Sequence, residues 1–457
     1  MPPKFGTSGL RGLVTELTTD CVTRYITAFV QSCETGTGLF IAHDLRNSSP
    51  GLAETVAKAA CDLGVDVTLC GPVPTPALAL VAIEAGAAAV MVTGSHIPAD
   101  RNGLKFYTPQ GEISKVEETA ILTALDQSPE PAKPGVIHRD DSAAQAYIAR
   151  YTGAFGQALR GLRIGLYAHS AVGRDLMAQL LGDLGAEVMT LGHSDVFVPV
   201  DTEAVPADIR AQFIEWAGAY RCDAIVSTDG DGDRPMLADE NGAIIPGDLM
   251  GQITAAALGA RRVVTPISSN TGVFRSGFAQ VLSTKIGSPF VIAGMAQLGG
   301  DVVGYEANGG FLLGFEGAGP TGPLPPLMTR DAVLPLIATL TASRGGGLAA
   351  RAAAEPARFT AADRLQEVPV TRSQALVQRL TADTDARDQF VAGLGGVASD
   401  INTLDGLRMT LDDGRIIHLR PSGNAPELRL YVEAGTPEDA ARTLKSGLAQ
   451  MAKAVAV

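Results

Sequence analysis

Residues 38–95 read GLFIAHDLRNSSPGLAETVAKAACDLGVDVTLCGPVPTPALALVAIEAGAAAVMVTGS. Short runs rich in β-branched residues alternate here with longer stretches whose apolar residues recur at helical spacing. GLFIAHD predicts a strand, and PGLAETVAKAACDLG predicts an amphipathic helix that ends at Gly64. VDVTLCG, PTPALALVAIEAGA and AAVMVTGS repeat the pattern. Alternation at these lengths predicts βαβ units and an α/β fold.

The same alternation returns further along the chain, in LRIGLYAHS, RDLMAQLLGDLG, AEVMTLG, DAIVSTD and RRVVTPIS. The last 100 or so residues differ in pattern. VASDINTLDGLRMTLDDGRIIHLRPSG predicts strands joined by hairpin turns, and TPEDAARTLKSGLAQMAKAV predicts a closing helix. The C-terminal region is therefore predicted to be α+β.

A chain of 457 residues is too long for one hydrophobic core and should divide into several domains. Pro-rich QSPEPAKPGV, the neighbourhood of Pro246 and a Gly/Ala-rich stretch around 345–360 are typical of linkers or boundaries. They predict four domains of about 100 residues each. The predicted domains span residues 1–136, 137–246, 247–352 and 353–457.

Composition excludes several classes of protein. A formal net charge of −13 disfavours nucleic acid as a partner, because phosphate backbones attract clustered Lys and Arg. No stretch approaches the apolar length of a membrane helix, and the first residues lack a secretory signal. Five cysteines without a CxxC pair argue against a disulfide framework or a zinc ribbon. These features predict a cytoplasmic protein without nucleic-acid or membrane partners.

The segment VMVTGSHIPADRNGLKFY (90–107) carries a candidate nucleophile. Its apolar strand leads into Ser95, and the ends of strands are where α/β sheets place ligand sites. A serine hydroxyl needs help from a base or cation, and His96 or Lys105 could manage its proton. Asn102 and Gly103 predict a tight turn, after which Lys105 begins a second strand. By itself, the segment also fits an ordinary loop.

The segment DAIVSTDGDGDRP (223–235) carries three aspartates, Asp229, Asp231 and Asp233, at alternate positions. On an extended chain they project to one side, and the intervening glycines let the backbone curve around one hard cation. Arg234 could offset part of their charge or reach a phosphate. An EF-hand loop is disfavoured, because Arg234 stands where that loop requires Gly and the lead-in predicts a strand. A solvated turn is improbable for three such units.

The segment HLRPSGNAPELRLYVEA (418–434) combines arginines, a hydroxyl and backbone N–H groups around a Pro/Gly turn. Together these groups can form a phosphate cradle; the candidates are Arg420, Ser422, Gly423, Asn424 and Arg429. A polar hairpin turn whose last arginine faces solvent is an equally good interpretation. Near the N-terminus, KFGTSGLRG is polar and glycine-rich and carries Arg11.

Taken together and in this order, these segments resemble the α-D-phosphohexomutase superfamily. FGTSGLRG resembles the family's N-terminal signature, TGSHIPADRNGLK its phosphoserine loop, DGDGDR its metal loop and RPSGNAPELRLYVEA its phosphate-binding loop. HDLRNSS and GPVPTP resemble further framework segments. The resemblance implies a four-domain architecture, with three related α/β domains and a C-terminal α+β domain around a central cleft. One departure is Gly94, where the family commonly has alanine.

The resemblance also implies roles for the candidate residues and a small sugar phosphate as substrate. Ser95 would be phosphorylated, and its phosphate would bind Mg²⁺ together with Asp229, Asp231 and Asp233. His96 and Lys105 would take part in proton transfer, with Arg11 near the transferring phosphate. The loop of the last domain would grip the phosphate that is not being transferred. A hexose 1,6-bisphosphate would be the intermediate and activator.

The segment VGYEANGGFLLGFEG (303–317) is the candidate sugar-reading loop. Glu306 can accept hydrogen bonds from two sugar hydroxyls, and Asn308 can add donors; Glu316 is a competing placement. The YEANGG form is most similar to the phosphomannomutase branch of the superfamily, and the Gln-Ser-Gly-His continuation of the glucosamine branch is absent. Glucose or glucosamine phosphate as substrate, and a non-catalytic phosphosugar-binding paralogue, are the alternatives.

Overall fold

The computed structural model describes residues 3–6, 9–128, 132–422 and 426–456. The chain divides into two units. The larger unit comprises Met1–Val264 and Gly287–Ala352, and the smaller comprises Thr265–Ile286 and Ala353–Val457. Among the described residues, no helix has both the length and the apolar character needed to cross a bilayer.

The first sheet of the larger unit has eight strands: β1 (Lys4–Gly6), β2 (Gly9–Leu13), β3 (Leu39–His43), β4 (Val67–Gly71), β5 (Ala88–Val92), β6 (Arg101–Thr108), β7 (Gly111–Glu112) and β8 (Ile137–Arg139). Their order is β1-β2-β6-β5-β3-β4-β8, with β7 paired to β6. Strands β3, β4, β5 and β8 run parallel, whereas β6 is antiparallel to its neighbours. The accompanying helices are α1 (Thr19–Ser32), α2 (Ser49–Asp62), α3 (Thr75–Glu84) and α4 (Lys115–Ala124). Apolar faces of α1, α2 and α4 pack on the sheet in one continuous core.

The second sheet follows the same plan. Its strands are β9 (Arg163–Tyr167), β10 (Glu187–Leu191), β11 (Ala224–Thr228), β12 (Pro235–Ala238) and β13 (Ile244–Ile245), in the order β10-β9-β11-β12-β13. The first three strands are parallel, and β12 and β13 add antiparallel pairings. Helices α5 (Ser142–Phe155), α6 (Arg174–Asp183) and α7 (Ala207–Tyr220) accompany them.

The next strands along the chain are β14 (Arg262–Pro266), β15 (Gln280–Thr284), β16 (Val302–Tyr305), β17 (Phe311–Leu313), β18 (Gly317–Ala318), β19 (Pro323–Leu324) and β20 (Leu327–Asp331). Strands β14, β16, β17 and β20 pair in that order, with β14 parallel to β16. Strands β18 and β19 form a separate ribbon. Helices α8 (Gly247–Ala257), α9 (Ser288–Leu298), α10 (Val333–Ala342) and α11 (Leu348–Ala353) complete this part.

The smaller unit contains β15, a short 3₁₀ helix (Thr271–Arg275) and a five-stranded antiparallel sheet. The sheet strands are β21 (Phe359–Leu365), β22 (Ala398–Asn402), β23 (Leu407–Leu411), β24 (Ile416–Pro421) and β25 (Leu428–Ala434), in the order β21-β25-β24-β23-β22. Helices α12 (Val370–Ala382), α13 (Thr384–Ala392) and α14 (Pro437–Ala456) accompany it. The α/β pattern and the α+β character of the C-terminal region are therefore confirmed.

One local prediction is wrong: Asn102 and Gly103 lie within strand β6 and form no turn. Gly103 pairs with Arg11 of β2, and a Cβ at residue 103 would lie 2.2 Å from the carbonyl oxygen of Leu10. The glycine therefore serves close strand pairing. Asn102 is buried, and its amide nitrogen donates to the hydroxyls of Ser48 and Ser49 at 2.9 Å each.

Candidate active site

Three candidate loops of the larger unit occupy equivalent positions in their sheets. Each follows the carboxyl end of a strand with a parallel neighbour: Ser95 follows β5, Asp229 follows β11 and Glu306 follows β16. The carboxyl ends of parallel strands are where α/β sheets expose ligand-binding loops, so the three residues lie at positions that suit a ligand site.

Ser95 is buried in a strained backbone conformation. Its φ is +53°, in the left-handed region, which costs a non-glycine residue about 1 kcal/mol or more. The Ser95 N–H donates to Thr93 Oγ1 at 2.7 Å, and its hydroxyl donates to Asp229 Oδ2 at 2.5 Å. The strained turn thus aims the hydroxyl at the metal loop.

Arg46, which the sequence pattern did not single out, holds the serine loop. Its side chain is 1% exposed and donates to four backbone carbonyl oxygens of that loop, at distances of 2.7–3.2 Å. Asp44 accepts from its Nε at 3.1 Å, and the ring of Phe197 covers the guanidinium with its centroid 3.8 Å from Cζ. A buried arginine therefore fixes the loop that presents Ser95.

The three aspartates of the acidic loop are fully buried, with ligand oxygens within 4.8 Å of one another. Asp231 Oδ2 accepts from Thr75 Oγ1 and Lys105 Nζ, both at 2.5 Å. Lys105 Nζ also donates to Asp233 Oδ2 at 2.5 Å. Thr75, at the start of α3, is a second partner that the sequence pattern did not single out.

The pKa values of two aspartates in this loop are shifted in opposite directions. Burial, together with Asp231 and Asp233, raises the pKa of Asp229 well above its ordinary value. Burial alone would also raise the pKa of Asp233, but Arg330, Lys105 and Arg234 outweigh it and the net shift is downward.

The donor set fits a hard divalent cation. Asp231 Oδ1 and Asp233 Oδ1 are buried and have no hydrogen-bond partner among the described residues. Carboxylate oxygens are the ligands Mg²⁺ prefers. An EF-hand does not fit, because β11 precedes the loop and the Glu240 carboxylate instead accepts from the N–H groups of Leu348 and Ala349.

His96 and two arginines surround the Ser95 hydroxyl. Burial and the nearby Arg234 and Arg11 lower the pKa of His96 well below its ordinary value, so its imidazole is neutral. Arg234 Nη1 lies 3.1 Å from His96 Nδ1, which must accept because a guanidinium only donates. The same Nδ1 lies 3.3 Å from Ser95 Oγ.

Arg11 adds positive charge near Asp231 and Asp233. Its guanidinium makes no hydrogen bond or ion pair with a residue in the described part of the chain. Burial and the nearby Arg234 and Arg330 lower its pKa to about 10, which leaves it charged at neutral pH. Three arginines this close together favour an anionic ligand.

Arg330 connects the metal loop to the sugar loop and was also missed from sequence. It is 1% exposed and lies 3.0 Å from Asp233, 3.2 Å from Glu112 and 3.9 Å from Glu306. These three carboxylates hold its pKa well above the ordinary value despite its burial. Arg330 lies beside Glu306 because strands β16, β17 and β20 pair with one another. The spacing of the two residues along the chain therefore did not predict this contact.

Glu306 and Asn308 lie together in a tight loop between β16 and β17. The Asn308 amide nitrogen lies 3.4 Å from Glu306 Oε2, while its Oδ1 accepts from the N–H of Gly310 at 3.0 Å. Asn308 therefore shapes the loop as well as contacting Glu306. Glu316 is exposed and follows the far end of β17, away from Glu306.

The candidate phosphate residues lie in the smaller unit. Arg420 and Arg429 are directly opposed on β24 and β25. Asp405 accepts from Arg420 Nε at 2.9 Å, and the backbone N–H of buried Ser422 donates to Glu427 O at 2.9 Å. Gly423 and Asn424, the remaining members of this set, lie outside the described residues.

Comparison with known families gives three matches along the chain. Residues 2–131 match "Phosphoglucomutase/phosphomannomutase, alpha/beta/alpha domain I" and residues 145–242 match "alpha/beta/alpha domain II" of the same family. Residues 364–450 match its "C-terminal domain". These matches cover more than half of the chain and include the serine, metal and phosphate loops.

Two relatives are similar over almost their whole length. A phosphomannomutase of Sinorhizobium fredii is 43% identical over 98% of this chain and 98% of its own. A phosphomannomutase of Salmonella muenchen is 44% identical over 98% of this chain and 95% of its own. A phosphoglucosamine mutase of Zymomonas mobilis is less similar, at 32% identity over 68% of this chain and 74% of its own.

Solved structures share the fold. A phosphoglucomutase/phosphomannomutase family protein of Burkholderia thailandensis superimposes with a TM-score of 0.79 at 22% identity, over 98% of this chain and 97% of that one. An N-acetylphosphoglucosamine mutase of Aspergillus fumigatus, solved with GlcNAc-6P and magnesium, superimposes with a TM-score of 0.56 at 14% identity, over 99% of this chain and 96% of that one. The multi-domain α/β architecture of phosphohexomutases is therefore confirmed.

Proposed function

Because this chain belongs to the phosphoglucomutase/phosphomannomutase family, we propose that it is a phosphomannomutase, which interconverts mannose 6-phosphate and mannose 1-phosphate. Its near full-length relatives at 43% and 44% identity are phosphomannomutases, whereas the phosphoglucosamine mutase is less similar. The observation that carries the chemistry is the Ser95 hydroxyl, 2.5 Å from Asp229 at the edge of a buried triad of aspartates.

In this mechanism phosphorylated Ser95 donates its phosphoryl group to the sugar, giving a hexose 1,6-bisphosphate. The bisphosphate then turns end over end and returns its other phosphate to Ser95. A hexose 1,6-bisphosphate also serves as activator, since it phosphorylates Ser95. Phosphoryl transfer depends mainly on positioning and on neutralising charge. The buried serine, whose loop is held by Arg46, is positioned, and the surrounding cations can neutralise the charge.

Asp229, Asp231, Asp233 and the Ser95 phosphate are the proposed ligands of a Mg²⁺ ion. Bound there, the ion would neutralise charge on the transferring phosphoryl group. The buried carboxylate oxygens that lack hydrogen-bond partners support this assignment. Arg11 and Arg234 are proposed to neutralise the phosphoryl oxygens.

Proton transfer is proposed to involve His96 and Lys105. As phosphate moves to the sugar, the attacking hydroxyl loses a proton and Ser95 Oγ gains one. In the reverse step Ser95 Oγ attacks the phosphate and loses its proton, which the lone pair of neutral His96 Nδ1, 3.3 Å away, is proposed to take up. Lys105, 2.5 Å from both Asp231 and Asp233, is placed beside the metal ligands.

Substrate recognition is proposed to use two loops. Glu306 and Asn308 accept and donate hydrogen bonds to the sugar hydroxyls, and Arg330 holds Glu306 in place. In the last domain, Arg420, Ser422, Gly423, Asn424 and Arg429 grip the phosphate that is not being transferred. A separate cradle lets either end of the bisphosphate bind. We also propose the four domains at residues 1–136, 137–246, 247–352 and 353–457.

The test is a comparison of sugar phosphates. Purified protein is incubated with Mg²⁺, a trace of hexose 1,6-bisphosphate and mannose, glucose or glucosamine 1-phosphate, and ³¹P NMR follows the 6-phosphate. We expect fast conversion of mannose 1-phosphate, loss of activity in Ser95→Ala, and normal activity in Ser399→Ala, a control on an exposed strand. Faster conversion of glucosamine 1-phosphate, or full activity in Ser95→Ala, would overturn the proposal.

A further inference from the structure

Three arginines lie side by side across the sheet of the smaller unit. Arg364 of β21 is opposite Arg429 of β25, which is opposite Arg420 of β24. Directly paired residues of antiparallel strands project from the same face of a sheet. The leucines that alternate with them, Leu365, Leu419, Leu428 and Leu430, belong to or pack against the core. The arginines therefore share the face that points away from the core.

The side chain of Arg364 is directed towards Glu427, which immediately precedes β25. Its Nε lies 3.2 Å from Glu427 Oε1, and Arg429 Nη2 lies 3.5 Å from Glu427 Oε2. The N–H of Val368 donates to Pro426 O at 2.8 Å, which brings the segment after β21 alongside the residues just before β25. Arg364 is thus a neighbour of the phosphate residues, although it lies far from them in sequence.

The charges around this row do not balance. Glu427 contacts Arg364 and Arg429, and Asp405 contacts Arg420. Among the described residues, ion pairs join two carboxylates to three guanidinium groups, and those groups repel one another. A phosphate monoester, close to a dianion at neutral pH, would complement this surplus and offer oxygens to each guanidinium.

On the basis of the proposed function, we propose that Arg364 is a third arginine of the phosphate cradle and that Glu427 competes with the ligand for it. The ligand is the phosphate monoester of the bound sugar. With the cradle empty, Glu427 holds Arg364 and Arg429 near the start of β25. When phosphate binds, its oxygens share these donors with the carboxylate.

The test compares Arg364→Gln with Glu427→Gln, and the two should act in opposite directions. Arg364→Gln should raise the KM for mannose 1-phosphate and the inhibition constant of inorganic phosphate about 3- to 10-fold, with kcat changed less than about 2-fold. Glu427→Gln should lower both constants, because it removes the competing charge and keeps the backbone bond from Ser422. Arg372→Gln, on the exposed face of α12, is the matched control and should change neither.

A purely structural ion pair would give a different result, since either substitution would then break it and both would shift the constants the same way. Shifts of the same sign, or no effect of Arg364→Gln, would overturn the inference. The variant Arg420→Ala distinguishes failure of this inference from failure of the proposed function. If Arg420→Ala weakens phosphate binding and Arg364→Gln does not, only the inference fails; if neither does, the cradle itself is misplaced. Calorimetric titration with inorganic phosphate measures phosphate binding to each variant, including variants that have no enzymatic activity.

Discussion

Replacing Gly94 by alanine should disable the serine loop. An ideal Cβ at residue 94 would lie 2.6 Å from Arg46 Cζ and 2.8 Å from its Nε. The backbone of Gly94 lies outside the left-handed region, so the conflict is steric and not conformational. Ordinary carbon contacts need about 3.5 Å, so the methyl group and the guanidinium must separate by about 1 Å.

The guanidinium has little room for such a shift. Moving it by about 1 Å would lengthen bonds such as that from Nη2 to Ser95 O, now 2.9 Å, beyond hydrogen-bonding range. Each bond from a buried charged donor contributes about 1.5–3 kcal/mol, so losing one or two should cost about 3 kcal/mol of unfolding free energy. If the loop moves instead, Ser95 leaves Asp229, and a misplacement of about 1 Å costs on the order of 100-fold in rate.

The assay measures kcat/KM and the urea unfolding midpoint of Gly94→Ala. Gly218→Ala is the control, because Gly218 lies in α7 with nothing within 4 Å of the position that a methyl group would take, and helix propensity favours alanine there. Arg46→Met removes the clashing group, so the double variant Gly94→Ala/Arg46→Met should be no worse than Arg46→Met alone. That non-additivity isolates the contact between the two residues.

Wild-type activity and stability in Gly94→Ala would refute the reasoning, because the loop would then tolerate a methyl group where the guanidinium lies. Additive losses in the double variant would refute it as well, since the damage would then come from somewhere other than Arg46.

Three further predictions concern other parts of the site and fold. Asp231→Ala should lower turnover by at least about 1000-fold by weakening the metal site, and calorimetry should show weaker Mg²⁺ binding; near-normal activity would remove the metal assignment. Arg330→Met should cost about 3–5 kcal/mol in urea unfolding and raise the KM for sugar phosphate, because it leaves Glu112 and Glu306 without this buried cation and Asp233 with one fewer; an unchanged KM would separate Arg330 from the sugar loop. Burial lowers the pKa of His418 to about 4, below its value near 6.5 in the unfolded chain. As pH falls, the unfolded chain therefore binds the proton first, and folding stability is lost between pH 6.5 and 4. His418→Gln should therefore reduce the loss of unfolding free energy between pH 7 and 4.5 by about 2 kcal/mol, and an unchanged pH dependence in urea titrations would contradict the shift.

The sequence predicted those parts of the fold that depend on short-range patterns. Helical spacing in PGLAETVAKAACD predicts α2 because its apolar residues must face one side. The strand and turn signals in VASDINTLDGLRMTLDDGRIIHLRPSG predict the hairpins of β22, β23 and β24. The acidic loop was recognisable because three aspartates at alternate positions can project to one side of an extended chain and repel one another unless positive charge lies nearby. The Asn102–Gly103 dipeptide misled, because its glycine is required by the approach of β2 and not by a turn.

The residues that sequence reasoning missed all act at a distance. Arg46 and Arg330 look like ordinary charged residues in the chain, and only tertiary packing surrounds them with carbonyls or carboxylates. Thr75 reaches Asp231 because the N-terminus of α3 lies beside the metal loop, with the N–H of Thr75 donating to Asp231 O at 2.9 Å. A single sequence records none of these placements, because each brings together segments that lie far apart along the chain.

The same tertiary contacts explain how so much charge can be buried around Ser95. Among the described residues, four cations (Arg11, Lys105, Arg234 and Arg330) and five carboxylates (Asp229, Asp231, Asp233, Glu112 and Glu306) are linked by ion pairs or by close approach. Their formal sum is close to neutral, as burial requires. A divalent cation would change that sum from −1 to +1, and a phosphate dianion bound beside it would return the sum to −1. A metal ion and a phosphorylated Ser95, which the proposed function requires together, would therefore leave the net charge of the buried cluster as it is.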